Sequence, residues 1–198
     1  ALRADNAVSS SLLAPRDRTP GWLWQWALLV GAVACVSLAI SDPRPGQVMV
    51  WFANPVGAVA LLRLPRRQWW GMVPLLLGGT WAAYGMYAWL GGTPAGLYAP
   101  VQVLDMVLAA MLLARLTALN LVGQSVVVQA QALLRGALLP AALLAPLGGL
   151  ACVAMGVGDW HVLTLNWFIG HTIGAVASLP LALAIATKRT RIALQQLL

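Results

Sequence analysis

The sequence predicts an all-α integral membrane protein, a bundle of six transmembrane helices with both termini in the cytosol. Hydrophobic residues make up 61% of the 198 residues and charged residues only 9%, whereas a soluble domain carries about 25% charged residues. The mean hydropathy is +0.81. The apolar residues fall into six runs, and six spans of about 20 residues each use up most of the chain. The composition therefore leaves no room for a separate soluble domain.

Turn signals and basic residues separate the six runs. Pro- and Gly-rich stretches at 41–46 and 91–94 mark two boundaries, and the basic stretch 63–68 marks a third. The less hydrophobic segment 120–136 is interpreted as either a helix on the membrane surface or the prefix of the fifth span. The predicted spans are 22–40, 47–62, 69–90, 97–116, 137–155 and 162–186.

Three regions follow from these spans. Residues 1–20 lack the apolar core of a signal peptide and predict a short cytosolic arm. Residues 21–187 form the membrane domain. Residues 188–198 continue the last helix into the cytosol as the start of a signalling helix.

The distribution of Lys and Arg sets the orientation. With the N-terminus inside, all of the 12 basic residues except Arg44 lie on the cytosolic side, as the positive-inside rule requires. Topology therefore explains the net charge of +7, and nucleic acid is not expected as a partner. The sequence predicts a multi-pass protein of the bacterial inner membrane, in contact with the lipid bilayer.

A few polar residues inside the predicted spans indicate a binding site. Asp105 is the only acid within a span, and Asn54, Asn166 and His171 lie at a similar depth in the outer half of the bilayer. Polar groups at such positions are costly and usually mark functional sites. Aromatic residues share their helix faces: Trp167 lies one turn before His171. An intramembrane pocket with aromatic walls and a few polar groups is typical of a small-molecule site.

The predicted ligand is a small amphiphile, with an acyl-homoserine lactone as one candidate. Asp105 and Asn54 would bind its polar head, and aromatic side chains and His171 would line its apolar body. The alternative is that the polar residues form a network that only locks helix packing. The full set of predicted ligand-binding residues is Asp105, Asn54, Trp51, Trp81, Tyr84, Tyr87, Asn166, Trp167 and His171.

Catalytic and cofactor chemistry is not expected in this segment. The chain has two histidines, no Glu and two distant cysteines, so a metal-ligand cluster is not expected. Haem ligation by His161 and His171 is not expected, because both lie on one segment. A Cys35–Cys152 disulfide is not expected either, because both cysteines lie in apolar runs. Ser125, in a Gly-Gln-Ser sequence, is expected at the cytosolic side, too far from His171 for a nucleophile–base pair.

Three motifs in order resemble the membrane-associated sensor family of the first type (MASE). The first is the stretch 50–62 (VWFANPVGAVALL) followed by 66–70 (RRQWW) and Gly78. The second is the helix 102–115, with Asp105 where the family commonly has Glu. The third is 166–174 (NWFIGHTIG), followed by Pro180.

This resemblance implies a sensor domain that relays a signal to a cytosolic output module, which would be an enzyme of cyclic di-GMP turnover or a histidine kinase. With a lactone as the signal, the domain would serve quorum sensing. A homodimer is expected, because the tail offers a dimer seam and the pairs Gly170/Gly174 and Gly31/Cys35 would allow close helix approach. The alternative function is the six-helix substrate-capturing subunit of a vitamin-type uptake transporter.

Overall fold

A computed structural model describes residues 21–40, 50–92, 96–117, 126–156 and 158–186, and every regular element in these residues is helical. The predictions for the arm 1–20, the turn 41–46, residues 93–94, residues 120–125 and the tail 188–198 fall outside them. The helices are α1 (Gly21–Ala39), α2 (Ala53–Leu62), α3 (Trp69–Trp89), α4 (Tyr98–Thr117), α5 (Val126–Leu133), α6 (Leu139–Ala154) and α7 (Trp160–Ala186).

Two helical segments are long and apolar enough to cross a membrane by length and composition, Leu134–Ala154 and Trp160–Ala182. Three shorter apolar helices accompany them, at Leu23–Ala39, Ala53–Leu62 and Tyr98–Ala114. The all-helical fold class is therefore confirmed for the described residues, and membrane association is supported by two helices. The full set of six spans stays a prediction.

The second predicted span is shorter as a helix than expected. Residues 50–52 are not helical, and α2 begins at Ala53. The cause is Pro55, whose ring would clash with the carbonyl of Trp51 if the helix extended that far back. At ~1.5 Å per residue, the ten residues of α2 reach only about 15 Å. The expectation of one helix over 47–62 was wrong for this reason.

The fifth predicted span starts earlier than expected. A π-helical turn, Leu134–Leu138, joins α5 to α6, so helical structure runs without interruption from Val126 to Ala154. Pro140 in the first turn of α6 cannot donate to the carbonyl of Gly136, and the chain widens there into a π turn. Of the two interpretations of this segment, the prefix of the fifth span holds for residues 126–136.

The short helix α2 lies in the middle of the fold. It packs against α1, α4 and α7, while α1 pairs with α3 and α6 pairs with α7. The apolar residues of these contacts form the core, which includes Val30, Leu61, Leu76 and Met106. At the C-terminal end of α2, the indole N–H of Trp69 donates to the carbonyl of Leu61 (2.8 Å) and so caps the helix.

Glycines in the predicted dimer motifs serve contacts within the chain. A Cβ on Gly31 of α1 would lie 3.1 Å from the carbonyl oxygen of Gly79 in α3. A Cβ on Gly174 of α7 would overlap the carbonyl group of Trp51. Gly31 and Gly174 therefore let helices of one copy approach each other, and the homodimer stays a prediction.

Candidate functional site

The non-helical segment just before α2 places Trp51 in the centre of the molecule. The N–H of Trp51 donates to the carbonyl of Gly170 in α7 (3.2 Å), and the N–H of Phe52 donates to the hydroxyl of Ser37 in α1 (3.1 Å). Because Gly174 has no side chain, the Trp51 backbone can lie directly against α7. The non-helical segment is thereby fixed to two helices, and its buried N–H groups are satisfied.

A polar chain behind Trp51 holds its indole in place. The indole N–H of Trp51 donates to Asn54 Oδ1 (2.8 Å), and Asn54 Nδ2 donates to Asp105 Oδ2. The other carboxylate oxygen, Oδ1, has no hydrogen-bond partner among the described residues, and the Asp105 side chain is 5% exposed. Asp105 and Asn54 therefore position Trp51, and the structure does not place them in a cavity as the sequence prediction required.

Five aromatic rings form a closed circuit, which we call the aromatic circuit. Trp51 stacks on Tyr84 with ring centroids 5.6 Å apart, Tyr84 contacts Tyr98 at 5.8 Å, and Tyr98 contacts Trp167 at 5.4 Å. Trp167 stacks on His171 at 4.2 Å, and His171 meets Trp51 at 6.2 Å. Rings from four separate segments of the chain are thus in contact, three pairs stacked and two tilted, at or close to the distances typical of aromatic pairs.

The side chain of Gln102 bridges the aromatic circuit. As placed, Gln102 Nε2 donates to the Tyr84 hydroxyl (3.2 Å), and Gln102 Oε1 lies 2.9 Å from His171 Nε2. His171 Nδ1 lies 2.8 Å from the backbone carbonyl oxygen of Trp167. Both ring nitrogens of His171 then face acceptors, which would require a positively charged imidazolium in a buried position.

Turning the Gln102 amide by 180° removes this requirement. The Tyr84 hydroxyl then donates to Gln102 Oε1, and Gln102 Nε2 donates to His171 Nε2. The remaining ring proton, on Nδ1, goes to the carbonyl of Trp167. A buried charge without a paired opposite charge costs several kcal/mol, while the turned amide keeps every hydrogen bond. We infer that His171 is uncharged and that the amide takes the turned orientation.

A small cavity lies beside the aromatic circuit, between α3, α4, α6 and α7. Its volume is about 20 Å³, which is room for about one water molecule. Counted with the space open to the surroundings, the crevice measures about 330 Å³, a figure that includes space outside the protein. The enclosed volume decides the matter: no space for a whole ligand is preformed. The lining residues are Tyr84, Tyr98, Gln102, Cys152, Leu163, Asn166, Trp167 and His171.

Four of the nine predicted site residues line the cavity, three (Trp51, Asn54 and Asp105) lie behind its wall, and two lie elsewhere. Tyr84, Asn166, Trp167 and His171 are in its wall. Trp81 is 49% exposed and donates its indole N–H to the carbonyl of Gly96 (2.7 Å).

Tyr87 is half-buried and packs against Gly92 near the end of α3. Neither Trp81 nor Tyr87 takes part in the aromatic circuit or lines the cavity, so their role in ligand binding stays a prediction. Trp81 was chosen for its depth and Tyr87 for its helix face, and neither criterion shows that Gly96 and Gly92 lie against them.

Four residues of the wall were not predicted from the sequence: Tyr98, Gln102, Cys152 and Leu163. Tyr98, Gln102 and Asp105 follow the spacing i, i+4, i+7 on α4, which puts them on one helix face. This spacing was the available signal. The Tyr98 hydroxyl lies 2.6 Å from Cys152 Sγ, a contact between α4 and α6 that spacing cannot reveal.

Among the described residues, no three His, Cys, Asp or Glu side chains come together as metal ligands would. The polar groups that do converge are uncharged amide, hydroxyl and imidazole groups. In chemical terms the arrangement can donate and accept hydrogen bonds beside a stacked aromatic surface. No protein-family model, curated protein or solved structure matches this chain.

Proposed function

We propose that this chain is a six-span sensor domain of the bacterial inner membrane, with both termini in the cytosol. It binds a small amphiphilic signal beside the aromatic circuit and works as a homodimer that relays the signal to a cytosolic output module. The observation that carries the proposal is the aromatic circuit with its polar bridge. Its rings come from the segment before α2 and from α3, α4 and α7, and they lie beside a cavity.

The surface of the helices supports a lipid environment. Large apolar side chains are exposed along α6 and α7, for example Leu143 at 61% and Ile173 at 50%. Contiguous apolar surface of this kind is costly in water and neutral in lipid. Leu147, Leu150, Ile169 and Val176 extend it on the same two helices.

The tryptophans of α3 support a span for that helix too. Trp70 and Trp89 are 85% and 83% exposed, and they are separated by about 29 Å at ~1.5 Å per residue. This separation equals the ~30 Å thickness of the hydrocarbon core. Each indole would thus lie at one membrane interface, where tryptophan is favoured.

The site has a direct mechanical connection to the cytosolic side. Trp167 and His171, in the site, belong to α7, which continues as a helix through Pro180 to Ala186. A ligand that moves these two rings therefore acts on the helix that leads toward the C-terminus. In membrane sensors such a helix transmits signals by a small rotation or translation.

A chimera tests this proposal. Residues 1–198 are fused to a cytosolic diguanylate cyclase domain, and cyclic di-GMP is measured in cells given acyl-homoserine lactones or fatty alcohols of equal chain length. We expect at least one lactone to change the output. His171→Leu should abolish the response at equal membrane levels, and Trp81→Phe, outside the site, should leave it intact. A response that survives in His171→Leu, or no response to either class of probe, would contradict the proposal.

A further inference from the structure

The indole N–H of Trp167 is an unused hydrogen-bond donor. The side chain is 7% exposed and lines the cavity, and its Nε1 has no hydrogen-bond partner among the described residues. Folded proteins leave few buried donors unpaired, and each such group calls for a specific explanation. Trp51, Trp69, Trp81 and Trp160 all donate their indole N–H to an oxygen, so Trp167 departs from the pattern of these four tryptophans.

The Trp167 ring is held too firmly to reach a partner elsewhere. His171 stacks on it with an angle of 11° between the ring planes, and Tyr98 contacts it at 5.4 Å. A Cβ on Gly148 of α6 would overlap the indole, so the ring occupies the space that this glycine leaves free. Any partner for the N–H must therefore come to the ring, and the adjoining cavity is the space that can admit one.

The other fully buried polar groups in the wall already have hydrogen-bond partners. The Gln102 amide bonds Tyr84 and His171, the second nitrogen of His171 bonds a backbone carbonyl, and Tyr98 contacts Cys152. Asn166 adds a half-buried amide. No Asp, Lys or Arg is among the lining residues. The buried wall therefore offers a ligand one unused hydrogen-bonding group, the uncharged indole N–H of Trp167.

We propose that the site recognises a neutral molecule through a carbonyl or other acceptor oxygen, which accepts a hydrogen bond from the Trp167 indole N–H. This inference rests on the proposed function and names the chemical class of the signal. A cavity of about 20 Å³ takes one oxygen atom, in place of about one water molecule, and the body of the ligand occupies the open part of the crevice. Lactones, ketones and esters belong to the class.

A ligand with an ammonium group is the competing class, and the geometry disfavours it. The unpaired acceptor of the site region is Asp105 Oδ1, which would suit a cation. Asp105 does not line the cavity. Its partner Asn54 bonds Trp51, which stacks on Tyr84 of the cavity wall, so the carboxylate lies behind that wall.

Indole NMR tests the assignment directly. The full chain is labelled with ¹⁵N at its ten tryptophan indoles, placed in lipid nanodiscs and titrated with cyclopentanone or with cyclopentane. The two probes share their size and differ in the carbonyl group. We expect cyclopentanone to move the Trp167 indole peak downfield in a saturable manner, and cyclopentane to leave it in place. The peak of Trp81, which already donates to Gly96, should not respond to either.

Loss of one peak in Trp167→Phe assigns the signal. Should that variant not fold, replacing the other nine tryptophans singly by Phe assigns the tenth peak by elimination. A Trp167 peak that ignores cyclopentanone, or that cyclopentane moves equally, overturns the inference. If the chimera responds but the NMR titration fails, only the ligand class is refuted. If the titration succeeds but the chimera does not respond, only the sensor function is refuted.

Discussion

Gly174→Ala should separate α7 from the start of α2. The added Cβ would lie 2.5 Å from the carbonyl carbon and 2.8 Å from the nitrogen of Trp51, whereas ordinary van der Waals contact begins at 3.4 Å. The contacted atoms belong to the backbone, so no side chain can turn aside. Helix α7 must then retreat by at least about 0.9 Å, the shortfall at the carbonyl carbon of Trp51.

Two costs add up from this displacement. Overpacking in a well-packed core costs about 1–3 kcal/mol. The hydrogen bond from Trp51 N–H to the carbonyl of Gly170, at 3.2 Å, would also stretch beyond bonding distance, which costs about 1 kcal/mol. The expected loss is therefore about 2–4 kcal/mol of unfolding free energy, or about 30- to 700-fold in the folding equilibrium.

Unfolding in mixed micelles, followed by near-UV circular dichroism of the aromatic circuit, measures this loss. Gly78→Ala is the matched control, because a Cβ at this exposed position of α3 meets nothing within 4 Å. Alanine favours a helix over glycine by up to about 1 kcal/mol, so the control should be neutral or slightly stabilised. If Gly174→Ala proves as stable as Gly78→Ala, the described approach of the Trp51 backbone to α7 is refuted.

Three further predictions concern topology and the polar groups. A reporter inserted at Gly92 should be periplasmic and one fused after Leu198 cytosolic, and a periplasmic C-terminus would rule out six spans. Asp105→Leu should leave the fold intact and lower the unfolding free energy by about 1–3 kcal/mol, because it removes the buried oxygen that accepts from Asn54 Nδ2 and leaves that amide without its partner; an unchanged unfolding curve would refute its positioning role. Gln102→Leu strands two buried groups and should cost about 2–6 kcal/mol by the same assay, whereas a loss below about 1 kcal/mol would show that its amide does not bridge the rings.

Much of the fold could be predicted because apolar runs and turn residues are local signals. The ends of the predicted third and sixth spans lie within two residues of those of α3 and α7. The second span failed because hydropathy counts residues 50–52 as apolar and takes no account of their backbone. Pro55 carried the missing information. At Pro55 the helix does not extend further back, although the residues before it are hydrophobic.

The site could be predicted only where depth and helix face were enough. Tyr84, Asn166, Trp167 and His171 were identified by these two criteria, and they line one cavity. Depth and face do not distinguish a residue in a cavity wall from one behind it, and this is why Asp105 was assigned to the ligand. Gln102 was missed because a glutamine near the end of a predicted span is usually taken for an interfacial residue. Its hydrogen-bond partners lie far away in the sequence and cannot be recognised there.

The non-helical residues before α2 have a consequence for how the protein enters the membrane. Their backbone N–H groups depend on α1 and α7, the first and last helices of the described chain, and lipid offers no substitute partner. A ribosome delivers α7 after all the other described helices. Until then residues 50–62 have neither the length to span the bilayer nor partners for their polar backbone. Residues 50–62 should therefore stay at the membrane surface and insert only after α7 is made. In a chain that ends before Trp160, we expect these residues to remain outside the hydrocarbon core.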